Sequence, residues 1–144
     1  MPSRRKLMLP FTHWPIEDRR RWEAAFQSGD LFDENGAGTR LAAATRRGRL
    51  ESYGRLLGFL SVKHPKLMAL PPEGRIDRRM AAEYVAHRRR SCGDISLAAD
   101  LGSLCSTLKL LCPNTDWSWL RSIANRIAAA APPPARKYNL ITSD

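Results

Sequence analysis

The stretch Gly38–Lys63, GTRLAAATRRGRLESYGRLLGFLSVK, is the longest uninterrupted helical pattern in the chain, and its two faces set expectations for everything around it. Leu50, Tyr53, Leu57 and Leu60 recur at steps of three and four with Leu56 beside them, so a turn of about 100° per residue gathers them on one side. Arg40, Arg47 and Arg55 fall about 180° away on the same wheel. One face is therefore expected in a small all-helical core, and the other against something acidic.

Toward the N-terminus, Asp30–Gly38 reads as an acidic, glycine-bearing linker. Before it lies a short helix, opened by Pro15 and running to about Gln27, with Trp22 and Phe26 as its apolar pair. Residues 1–12 are basic and punctuated by proline, which suits an arm.

Toward the C-terminus, Pro65 ends the long helix by Lys63. The loop from Pro65 to Arg75 is expected to fold Leu67, Met68 and Leu70 back over the core. Asp77 is a good N-cap for a helix bearing Met80, Ala81, Tyr84 and Val85 and ending in His87-Arg88-Arg89-Arg90. Cations in that last turn complement the helix dipole.

Asp94 or Ser96 then opens a helix striped with Leu97, Leu101, Leu104, Leu108 and Leu111, the strongest apolar stripe in the chain and the expected central helix. Its other side, Ala99, Ser103 and Ser106, is small enough for a helix or a phosphate strand to approach. The last helix, capped by Thr115 or Asp116, turns Leu120, Ile123 and Ile127 inward, with Trp117 and Trp119 at its start. Pro132, Pro133 and Pro134 stop it.

The 144 residues suffice for one domain with its own core. They carry 24 Lys and Arg against 14 Asp and Glu, a net charge of +10, and arginine far outnumbers lysine. Such a surface favours polyanions, and guanidinium suits bidentate phosphate and guanine recognition. Cys92, Cys105 and Cys112 form no C-x-x-C pair; Cys105 and Cys112 lie seven residues apart on one helix, about 10 Å, too far to bond each other. They are expected as packing atoms in a reducing cytoplasm. His13, His64 and His87 have no metal-ligand spacing, and no apolar run is long enough to span a membrane.

The ordered set of Tyr53 with R-L-L-G-F-L, then A-E-Y-V-A-H at Ala82–His87, then the leucine-striped helix, then C-P-N-T-D-W-S-W-L at Cys112–Leu120, resembles the N-terminal core-binding domain of tyrosine recombinases, the phage integrase family. The resemblance covers roughly Gly38 to Lys137. It implies a compact four- to five-helix SAM-like bundle, all-α, that grips double-stranded DNA opposite a catalytic domain absent from this chain. Residues 1–36 are then the arm and short helix, 37–131 the DNA-binding domain and 132–144 a linker. Other recombinase protomers on the DNA are implied partners; no cofactor, metal, small-molecule substrate or membrane is expected. The chain would lie in the cytoplasm, with the nucleoid when bound.

His87-Arg88-Arg89-Arg90 matches the family's H-x-x-R motif in letters, and Tyr138 follows it downstream. The match sits on a helix of the binding domain with no other catalytic group near it in sequence, and phosphoryl transfer needs several donors preorganised around one phosphate. No catalysis is expected from this chain.

Expected DNA contacts are Arg40, Arg46, Arg47 and Arg49 on the long helix, Arg88, Arg89 and Arg90 at the end of the next, Arg121 on the last, and Arg136 and Lys137 in the linker. Lys109 and Arg126 are weaker candidates. Tyr53, Tyr84, Trp117 and Trp119 are expected to pack rather than stack on bases. The competing readings are a helical protein-interaction or oligomerisation module and a small DNA-binding regulator, the latter disfavoured because no helix-turn-helix spacing stands out.

Overall fold

A computed structural model describes residues 8–26 and 43–131. They form five α-helices, α1 (Ile16–Phe26), α2 (Ala43–Lys63), α3 (Arg78–Arg89), α4 (Asp94–Leu111) and α5 (Ser118–Ala130), with short 3-10 segments before α1 (Phe11–His13) and between α2 and α3 (Pro65–Ala69 and Pro72–Gly74). No strand occurs among the described residues. The chain is an all-α bundle.

Its axis is α4. All five leucines of the stripe are buried, and α4 packs against α1, α2, α3 and α5. The apolar face of α2 behaves as its spacing predicts, with Tyr53, Leu56, Leu57 and Leu60 buried and Leu50 half-buried beside them. Each fully buried leucine contributes on the order of 2 kcal/mol of transfer free energy, so the leucines of α2 and α4 are a large apolar store of the fold. The small side of α4 is met by α5: Arg121 reaches back to donate to Ser106 Oγ at 2.9 Å, over Gly102.

Helix α1 is built into the same core. Trp14, just before it, stacks edge-on against Trp22 and Tyr53, with ring centroids 5.7 and 5.0 Å away. The incoming segment is pinned to the middle of α2: the Leu9 N–H donates to the Gly54 carbonyl at 2.9 Å, and Trp14 Nε1 donates to the Leu9 carbonyl, also at 2.9 Å. A Cβ at position 54 would stand 2.9 Å from that Leu9 oxygen, so the helix carries glycine there although glycine in a helix costs about 1 kcal/mol relative to alanine.

Asp77 caps α3 as expected, its carboxylate accepting from the Met80 N–H at 2.8 Å. Two other caps differ. Gly93, not Asp94 or Ser96, precedes α4, and Asp94 is already helical, where its charge suits the positive helix start. Trp117, not Thr115 or Asp116, immediately precedes α5, although Asp116 accepts from the N–H of Ser118, its first residue, at 2.9 Å. Within the proline loop Leu67 and Met68 pack on the core, but Leu70 is exposed, because the chain turns between two 3-10 segments at that point.

Candidate nucleic-acid interface

The arginines of the described residues sort into an inner and an outer set. The inner set is led by Arg75, which closes a bidentate pair on Asp18 at 2.5 and 2.8 Å and donates to the carbonyls of Leu67 and Met68. Tyr53 donates its hydroxyl to the same carboxylate. Burial and then the Asp18 charge push the Tyr53 phenol well above its usual value, so it stays a proton donor.

Arg55 belongs to the inner set too, against the expectation that it shares an outward arginine face with Arg40 and Arg47. It donates to Asp100 Oδ1 through Nε at 3.2 Å and its terminal nitrogen at 2.7 Å. The acid it meets is the chain's own, because α4 presents Asp100 in the otherwise apolar groove beside α2. Ser52 and Tyr84 donate to that carboxylate at 2.9 and 3.3 Å. Arg88 Nε lies 3.4 Å from Asp100 Oδ2, near enough for charge pairing but without a hydrogen bond.

Of the expected DNA contacts, Arg88 and Arg121 are thus turned largely toward internal partners. Arg46 lies with its guanidinium 5.0 Å from the centre of the Phe26 ring, while Arg47 beside it is exposed; both border a depression with Trp22, Ala43 and Leu50. Arg49 is half-buried, and its carbonyl faces the Thr107 hydroxyl at 3.5 Å. Arg89 is exposed and pairs with Asp94 at 3.3 Å; Arg90 is exposed. Arg40, Arg136 and Lys137 lie outside the described residues.

A second basic surface was not singled out from the sequence. Helices α3 and α5 run beside each other with a groove of about 400 Å³ between them, rimmed by Arg78, Arg89 and Arg126. At one end Arg78 sits over the Trp119 ring, 5.7 Å from its centroid. The signal was present in the sequence: Arg78, Ala82, Val85, Ala86 and Arg89 follow steps of four, three, one and three, which keeps them on one face. The surrounding run of arginines obscured it.

The arrangement offers cations and little reactive chemistry. Among the described residues no three His, Cys, Asp or Glu side chains gather as a metal site, and no helix is long and apolar enough to cross a membrane. Cys105 and Cys112 are buried and unbonded, and burial pushes the Cys112 thiol up to about 11, which leaves it protonated and unreactive near neutral pH. No protein-family model, curated protein or solved structure matches this chain.

Proposed function

We propose that the chain is a DNA-binding module of a site-specific recombinase, the half of a clamp that grips the duplex and leaves strand transfer to other residues. One observation carries the reading furthest. Arg55 and Arg75 are each matched by a buried aspartate, and Arg47, Arg79, Arg90 and Arg126 lie exposed, so much of the positive charge of the described residues is borne by their surface. A surface so charged attracts polyanions over several ångströms and gains affinity by releasing counterions from DNA. The resemblance of the ordered motifs to recombinase core-binding domains selects DNA among the polyanions.

If about five phosphates are neutralised, the logarithm of the association constant falls against log salt with a slope of roughly −4 to −5. Fluorescence anisotropy on mixed-sequence duplex, from low to physiological salt, measures that slope. Arg47→Glu, alone and with Arg40→Glu, should weaken binding and leave the thermal midpoint in place, since Arg47 is exposed. Binding that is absent at low salt, or indifferent to it, would rule the reading out.

A further inference from the structure

The groove between α3 and α5 is chemically unlike the rest of the basic surface. Its floor is apolar, made by Val85, Ile123 and Ile127, and kept shallow by Ala82 and Ala86. Its rim carries Arg78 and Arg89 from α3 and Arg126 from α5; Arg89 also pairs with Asp94 at 3.3 Å, so part of its charge is met within the chain. Along α3 the two rim arginines are eleven residues apart, which brings them back to nearly the same azimuth and separates their Cα atoms by roughly 16 Å.

That spacing excludes one compact anion as the natural occupant, because cations so far apart cannot converge on a single phosphate or carboxylate. A duplex is a poor fit for a different reason. Its phosphates need water and cations, and an isoleucine floor offers them neither; covering it with a sugar-phosphate backbone desolvates charge without a hydrogen-bond partner. An amphipathic helix uses both parts of the groove. Apolar side chains at i, i+3, i+4 and i+7 cover about three turns of floor, and acidic side chains along its flanks meet the rim. Arginine on the rim of an apolar floor is also the pairing enriched where protein interfaces carry most of their affinity.

We propose that the α3/α5 groove is the docking site for an acidic amphipathic helix of a partner protein, a binding function separate from the grip on DNA. Charge complementarity commits the site to an acidic occupant, and the floor commits it to a helix with one apolar face. The inference does not depend on the DNA reading.

The probe is a labelled synthetic helix of four turns with leucines at i, i+3, i+4 and i+7 and glutamates on both flanks, titrated by anisotropy into the full chain. A peptide of the same composition with its leucines scattered is the control. Saturable binding of the first peptide only is expected. Arg126→Glu, at an exposed position, should weaken it roughly tenfold, since an attraction becomes a repulsion. Ala86→Glu places a charge on the floor and should act in the same direction; it is exposed on a helix, so circular dichroism and the melt should be unchanged. Arg47→Glu should leave peptide binding intact, which separates this result from any failure of the DNA reading.

Four results would overturn the proposal: equal binding of both peptides, displacement of the peptide by duplex DNA, concentration-dependent self-association that Arg126→Glu abolishes, or peptide binding that appears only once residues 132–144 are removed. The second gives the groove to DNA, the third to another copy of the chain, and the fourth to the chain's own tail.

Discussion

Two buried carboxylates hold this bundle together, and they are built from the same residue types with different access to water. Asp18 is clamped by Arg75 and Tyr53, and the side chains of the Asp18–Arg75 pair are 0% and 2% exposed. Asp100 is clamped by Arg55, Tyr84 and Ser52, with Arg88 nearby; its own side chain is 3% exposed, but Arg55 is 31% and Arg88 18%. The first cluster joins α1, α2 and the proline loop in a sealed site. The second joins α2, α3 and α4 and opens to the surface through its cations. A charge with a path to water can relax when its partner is lost, and one without such a path cannot.

The comparison breaks most sharply at the sealed site. Asp18→Ala strands the Arg75 guanidinium in the core and takes away the acceptor of the Tyr53 hydroxyl, and loss of one partner of a buried pair costs about 3–5 kcal/mol. Urea unfolding followed by circular dichroism should show a loss of that size with the slope unchanged. Asp100→Ala should cost less, about 1–3 kcal/mol, chiefly from the orphaned Ser52 and Tyr84 hydroxyls, because Arg55 can turn to solvent. Equal losses in the two variants would show that access to water does not govern the difference.

The two clusters also mark what could be read from the chain. Helix positions, the leucine stripe of α4 and the apolar face of α2 were legible because helical burial leaves a periodic record. The pairing of Asp18 with Arg75, 57 residues apart, leaves none, since neither residue lies in an apolar pattern that would announce it as buried. The same gap placed Arg55 wrongly. On the wheel it belongs with Arg47, and only the packing of α4 brings Asp100 close enough to reclaim it. The basic surface was legible as a quantity, +10, and less so as a place. Arg46 and Arg47 do share one depression, whereas Arg78, Arg89 and Arg126 become neighbours only because α3 lies beside α5.

The smallest expected effect sharpens the open cluster from its edge. His87 precedes Arg88 on α3, and its ring lies against Phe59 with centroids 4.9 Å apart. Partial burial, then the charges of Lys63, Arg88 and Arg90, hold its pKa below the ordinary value of 6.5. The sign follows from which state takes up the proton more readily. Between the lowered folded value and the unfolded one near 6.5, the unfolded chain binds more protons, so stability rises with pH across that window and falls as the solution is acidified through it. His87→Gln removes the titrating group and should flatten this part of the curve, while the Asp18→Ala curve keeps the same slope at a lower level. Thermal midpoints measured from pH 5 to 8 test it, with the slope below pH 6.5 as the readout. A slope that survives His87→Gln would assign the pH dependence to groups other than this imidazole.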